Sequence, residues 1–151
     1  MRLVVQRVKR ASVAVGDRIV GSISPGLLVL AGTTHGDSEA DADVLADKLV
    51  ALRVFSDAEG KMNRSLLDTG GELLVVSQFT LYGSTRKGNR PSFTNAGDPA
   101  VAGELIDRLA ERVSGHGVRV ASGEFGAAME VELLNDGPVT LILETIDGKL
   151  V

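Results

Sequence analysis

Leu73-Leu74-Val75-Val76-Ser77-Gln78-Phe79-Thr80-Leu81 is the stretch on which the fold turns. Four aliphatic residues run without a break, which marks a strand buried on both faces. Polar side chains then enter at Ser77, Gln78 and Thr80. If the strand continues, its period of two puts Ser77, Phe79 and Leu81 on one face and Gln78, Thr80 and Tyr82 on the other. A stiff strand ending in hydroxyl, amide and aromatic groups is a good base for a site, because rigid elements hold functional groups better than loops. The same pattern also fits a strand that simply leaves the core, its hydroxyls satisfying nearby backbone.

The chain around this stretch has 151 residues, 44% hydrophobic and 24% charged, the balance of one globular domain spanning 1–151. Aromatics are only 3%, so the core rests on Val, Leu, Ile and Ala. Cysteine is absent, which removes disulfides and thiolate metal sites and fits a reducing cytoplasm. No apolar run reaches the roughly 18 residues of a membrane span, and the N-terminus does not read as a signal peptide. The net charge of −4 argues against nonspecific coating of nucleic acid, which needs many phosphate contacts, but leaves room for a local basic patch.

Upstream, Leu3–Val8, Ala11–Val15 and Arg18–Ile23 read as strands, the last two joined at Gly16-Asp17. Leu27–Ala31 is wholly apolar, the mark of a central strand. Ser38 then caps a helix that runs to about Arg53, with Ala42, Leu45, Ala46, Leu49 and Leu52 on its apolar stripe. Val54-Phe55 begins a short strand, followed by polar turns as far as Gly71. Downstream, Gly83–Asn95 is an irregular loop. Asp98 caps a second helix with Pro99 at its first position, Val101, Leu105, Leu109, Ala110 and Val113 on its buried face, and Gly115 at its end. Val118–Ala121, Glu130–Leu134 and Val139–Thr145 are further strands. The last two are separated by the turn Asn135-Asp136-Gly137-Pro138. The tail from Ile146 to Val151 lies on the surface. This is an α/β chain: layered sheets or a partly closed barrel, with two helices packed on one side.

Familiar catalytic sets are missing. A serine nucleophile needs a base and an orienting group, yet His35 and His116 stand apart from Ser77 and Thr80 in polar or glycine-flanked segments. No cluster has metal-ligand spacing, and glycine-rich phosphate loops are absent, so neither metal nor cofactor is expected. Arg86, Lys87 and Arg90 form the best anion site, directly after the polar strand end; a solvated loop is the alternative. Arg7, Lys9 and Arg10 are further candidate cations.

Ser77-Gln78-Phe79-Thr80-Leu81, taken with Asn135-Asp136-Gly137-Pro138-Val139-Thr140, resembles the paired signature of the D-aminoacyl-tRNA deacylases. Gln6-Arg7-Val8, Phe55-Ser56-Asp57 with Met62-Asn63, and Arg90-Pro91-Ser92-Phe93 are similar to that family as well, so the likeness extends from Met1 to about Glu144. The resemblance implies hydrolysis of the ester between a D-amino acid, or glycine, and the 3′ end of tRNA. It implies a homodimer with sites at the interface, in which a cis Gly137-Pro138 reaches into the partner's pocket and its main chain excludes L side chains. Ser77, Gln78, Phe79 and Thr80 would then line the ester side, and Phe125, Met129 and Ala102 the pocket wall. Arg86, Lys87 and Arg90 would hold RNA, and the RNA's own 2′-hydroxyl would activate water. The residues alone leave two rivals open: a noncatalytic dimeric module that binds RNA or protein, and a conventional serine esterase acting through Ser77.

Overall fold

The computed structural model describes residues 1–151. In chain order it contains β1 (Arg2–Val15), β2 (Arg18–Ile23), β3 (Gly26–Gly32), α1 (Glu39–Ala51), β4 (Phe55–Ser56), β5 (Met62–Arg64), α2 (Leu66–Thr69), β6 (Glu72–Ser77), a 3-10 turn (Phe79–Tyr82), α3 (Pro99–Gly115), β7 (Val120–Ser122), β8 (Glu130–Ile146) and β9 (Lys149–Leu150). Seven strands form one sheet in the order β7-β6-β3-β1-β8-β9, with β2 added to β1. β4 and β5 form a separate small ribbon.

β3 and β6 are parallel and central, pairing Leu27 with Leu73 and Ala31 with Ser77. Their aliphatic runs are buried on both faces because each face of the sheet has its own core. On one face α1 and α3 bring Leu45, Leu49, Ile106, Leu109 and Val113 onto Leu3, Val5, Leu27, Val29, Leu73 and Val75. On the other, Val8, Val13, Ile23, Leu28, Leu74 and Val76 pack together as the sheet curls and β2 lies against β6 and β7. The expected partly closed barrel with two helices on one side is therefore present. No helix is long and apolar enough to cross a membrane.

Several elements differ from the sequence reading. Leu3–Val8 and Ala11–Val15 are one strand: β1 pairs with β3 over residues 2–8 and with β2 over 11–15. Lys9 and Arg10 sit at the bend, where register irregularities against β8 absorb the twist without breaking the strand. Val101 is exposed, because the buried face of α3 is centred on Ala102, Leu105, Ile106 and Leu109. α2 was not expected. At four residues it is too short to show a period, although Ser65 caps it by accepting from Asp68 N while Asp68 Oδ2 accepts from Ser65 N at 2.8 Å. The tail lies on the surface as expected, with Lys149 and Leu150 paired back onto Ile146 and Thr145.

The largest difference concerns Asn135–Thr140. The expected hairpin turn is instead an excursion inside β8, since both halves of β8 pair with the same strand, β1. Val8 faces Asn135 and Gln6 faces Thr140, so residues 136–139 are pushed out opposite Arg7. Asn135 closes the excursion by accepting from Val139 N at 3.0 Å and donating to Val139 O at 3.1 Å. Its side chain thus replaces a strand partner. The Gly137-Pro138 peptide is cis, and both residues are exposed.

Candidate active site

β6 ends at Ser77, two residues earlier than the expected strand needs to carry Phe79, and Phe79–Tyr82 winds into a 3-10 turn. The alternation predicted for Ser77, Phe79 and Leu81 is lost there. Backbone bonds explain the change: Gln78 N still donates to Ala31 O at 2.7 Å as a last sheet-like contact, after which Leu81 N turns back to Gln78 O at 3.2 Å. Phe79 and Thr80 open the turn, so their N–H groups have no acceptor within it.

This strand end borders a cleft of about 560 Å³. Ala31, Ala102 and Ile106 supply apolar floor, while Ser77, Gln78, Thr33, His35 and Asp98 supply polar groups. Three of the chain's four phenylalanines, Phe79, Phe93 and Phe125, also line it. Aromatics are scarce in this protein, so their collection at one cleft is a strong local signal. Phe79 and Phe93 meet edge to face with centroids 5.1 Å apart, and both rings remain solvent-accessible. Such a surface suits stacking by a planar base.

Of the residues singled out from sequence, Ser77, Gln78, Phe79, Phe125 and Ala102 come together here. Thr80 does not line the cleft; its hydroxyl receives a hydrogen bond from the Gln78 side-chain amide. Met129 also lies outside it, half-buried against the second core cluster. Phe93 and His35 were missed, the first because it stands in a loop dominated by cations and glycine.

No nucleophile–base pair exists in the cleft. His35 Nε2 is bonded to Thr94 O at 2.9 Å, and nothing joins it to Ser77 or Thr80. Asp98 Oδ1 is engaged by Ala100 N at 2.9 Å in capping α3. No group of His, Cys, Asp and Glu has metal-binding geometry. What the cleft offers is an apolar, aromatic wall with Ser77 and Gln78 at its polar edge, beside the opening of the 3-10 turn.

Arg86, Lys87 and Arg90 are exposed on the loop after the 3-10 turn and pair with no acid. The loop is pinched at its base by Ser84 N to Ser92 O at 2.8 Å and Ser92 N to Ser84 O at 2.9 Å. Its cations therefore project from a fixed neck beside Phe93.

Arg7 belongs elsewhere than its sequence reading placed it. It is buried, donating from Nη1 to Val54 O at 2.6 Å and from Nε to Asp136 O at 2.9 Å. It cannot meet RNA; it fastens the excursion that carries Gly137-Pro138. Lys9 and Arg10 are exposed, as binding to RNA requires. Gly137 and Pro138 do not line the cleft. Arg7 pairs with Leu27 and Leu3 with Ala31, so the excursion and the cleft floor are separated by four residues, about 13 Å, along the strands.

A family model described as D-Tyr-tRNA(Tyr) deacylase matches residues 4–144. The chain is 58% identical over 145 residues to a D-aminoacyl-tRNA deacylase of Roseiflexus sp. (strain RS-1), covering 96% of this chain and 94% of that one. It is 56% identical over 145 residues to one of Bacillus velezensis, covering 96% and 99%. Among solved structures, the c-Myc DNA Unwinding Element Binding Protein superposes with a TM-score of 0.89 at 39% identity, over 97% of this chain and 99% of that chain. A probable eukaryotic D-amino acid tRNA deacylase shares the fold, with a TM-score of 0.80 at 20% identity over 93% and 97%.

Proposed function

The chain belongs to the D-Tyr-tRNA(Tyr) deacylase family, and we propose that it proofreads aminoacyl-tRNA by chirality, with main chain rather than side chains at the centre of its chemistry. It is an ester hydrolase that releases the D-amino acid from D-aminoacyl-tRNA, and it acts on glycine held on tRNA in the same way.

The observation that carries this reading is the separation just described. A fixed Gly-Pro excursion stands exposed on one part of the chain, and an apolar cleft beside the 3-10 turn stands on another. Neither makes a chiral site alone. In a homodimer, Gly137-Pro138 of one subunit closes the cleft of the other. The exposed apolar residues Leu134, Leu141 and Ile142 along β8 give such a dimer a surface to bury. The substrate's amino group meets main-chain carbonyls, and an L side chain would clash with the wall. Rejection by clash needs no side-chain contact.

Within the cleft, the terminal adenosine lies against the phenylalanines, with Phe125 and Ala102 forming the wall. The ester carbonyl faces the opening of the 3-10 turn, where the N–H groups of Phe79 and Thr80 stabilise the developing oxyanion. Water is activated by the 2′-hydroxyl of the terminal ribose. That assignment agrees with a cleft in which His35 is bonded to Thr94 O and Asp98 caps α3, neither being joined to a nucleophile. Orientation alone can lower a barrier by about 7–11 kcal/mol at best. Arg86, Lys87 and Arg90, with Lys9 and Arg10, hold the RNA backbone, and the setting is cytoplasmic.

The test is a paired deacylation assay on D-tyrosyl-tRNA and L-tyrosyl-tRNA with enzyme limiting, repeated with Thr80→Ala. Loss of the D ester alone, largely retained in Thr80→Ala, is the expected result. Near-total loss in that variant would make Thr80 a nucleophile instead. Inertness toward both esters would leave the noncatalytic module, and acylation of Ser77 by a serine-directed inhibitor would favour the serine esterase.

A further inference from the structure

We propose that Arg2 is a positioning residue for the hydrolysis, acting through the main-chain carbonyl of Leu81 to hold the turn that presents Phe79 and Thr80. The inference rests on the role given to that turn above. Strand register places Arg2 opposite Gly32 on β3 and opposite Glu144 on β8. The three residues lie abreast at the end of the sheet, beneath the 3-10 turn.

Each does something different there. A Cβ at Gly32 would sit 2.8 Å from Gln78 O and 3.2 Å from Leu81 Cβ, so the bare glycine lets the turn settle onto the sheet. Arg2 Nη1 donates to Leu81 O at 2.9 Å, while Nη2 donates to Glu144 Oε1 at 2.8 Å. The same guanidinium carbon lies 4.9 Å from the centroid of the Tyr82 ring. One planar group therefore grips the turn by a carbonyl, by an aromatic face and by an anchor on β8. A lysine ammonium has neither the fixed fork nor the flat face.

The grip reaches the cleft through the backbone. Leu81 N donates to Gln78 O, and Gln78 N donates to Ala31 O, so holding Leu81 by its carbonyl steadies the residue whose N–H closes the turn. No other side chain ties the turn's far end by a hydrogen bond: the Tyr82 hydroxyl is buried without a partner. Without Arg2, the N–H groups of Phe79 and Thr80 would sample a wider range of directions. Hydrolysis guided by orientation is sensitive to that spread.

The experiment compares Arg2→Gln, Arg2→Lys and Glu144→Gln with the wild type on D-tyrosyl-tRNA, measuring kcat and KM separately well below the thermal midpoint. The L ester is run in parallel. Arg2→Gln should lose tenfold or more in kcat with KM within twofold. Glu144→Gln should lose less, because the Leu81 bond survives. D over L preference should not change, since Gly137 and Pro138 stand elsewhere. Arg2→Lys should recover little; full recovery would overturn the fork geometry. A kcat within twofold of wild type in Arg2→Gln, or a loss that appears in KM instead, would overturn the proposal. Should Arg2→Gln fail to fold, Arg2→Lys decides by the same criteria. A wild type inert on both esters would overturn the proposed function, and this role with it, whereas an active wild type with unaffected variants removes only Arg2.

Discussion

Arg7 donates from Nε to the main-chain carbonyl of Asp136 at 2.9 Å, immediately before Gly137-Pro138, while its Nη1 holds Val54 O at 2.6 Å. One buried cation thus fixes an exposed excursion to the body of the domain. Arg7→Lys cannot serve both carbonyls, because an ammonium is a single point without the guanidinium's spread. Lost hydrogen bonds to a charged group cost about 1.5–3 kcal/mol each. Arg7→Lys should lower the denaturant midpoint and also reduce discrimination against L-tyrosyl-tRNA. Unchanged discrimination would separate Arg7 from the wall.

Gly137 has φ +140, a region L side chains rarely adopt, and a Cβ there would lie 2.7 Å from Val139 Cγ2 and 2.9 Å from Val139 N. Gly137→Ala should therefore distort the excursion at a cost of about 1–3 kcal/mol. The expected signature is loss of D-ester hydrolysis with a folded domain by circular dichroism. Full activity would exclude Gly137 from the pocket.

Phe93 packs edge to face on Phe79, and the close approach of its ring to Gly83 leaves no room for a Cβ there, only 2.9 Å from Phe93 Cε1. An aromatic pair of this kind contributes about 0.5–1.5 kcal/mol beyond area burial. Phe93→Ala should also weaken substrate binding about fivefold or more, because a base stacked on an aromatic side chain contributes about 1–3 kcal/mol. Steady-state KM on D-aminoacyl-tRNA reads this directly, and an unchanged KM would dismiss the aromatic platform.

Arg86→Ala with Lys87→Ala removes two exposed cations that no acid neutralises. If both meet phosphates, the slope of log affinity against log salt should flatten by about 0.7–0.9 for each phosphate left without its cation. Titrating deacylated tRNA at several salt concentrations measures it. An unaltered slope would take this loop out of the RNA interface.

Away from the site, α1 and α3 are bound by Arg108–Asp43 and Arg112–Asp47 pairs, with His116 Nε2 on Asp47 Oδ1 at 2.8 Å. The hydrogen bond from Arg112, helped by that from His116, lowers the Asp47 pKa to about 2. A depressed carboxylate stabilises the fold above its unfolded pKa and loses that contribution as pH falls through the folded value. Asp47 is partly exposed, so Asp47→Asn should cost no more than about 1 kcal/mol at neutral pH. The deficit should shrink between about pH 4 and pH 2. A deficit that persists at pH 2 would attribute the effect to packing.

Elements whose burial is periodic or unbroken were legible in the chain before it folds. Leu27–Ala31 and Leu73–Val76 announced central strands, and the spacing of Ala42, Leu45, Ala46 and Leu49 announced α1, because apolar side chains must leave water in the rhythm of the backbone that carries them. Two short motifs set far apart likewise announced the family. What those motifs do was decided by the folded arrangement. Ser77-Gln78-Phe79-Thr80 is a strand end that becomes a 3-10 turn once β3 no longer offers a partner. Asn135–Val139 is an excursion rather than a hairpin because β1 pairs with both of its flanks. Arg7 and Arg2 took their roles from long-range carbonyls, those of Asp136 and Leu81. Hydrogen-bond partners brought together by strand register leave no mark in local periodicity, so a cation that fastens a loop and one that faces solvent look alike until the chain has folded.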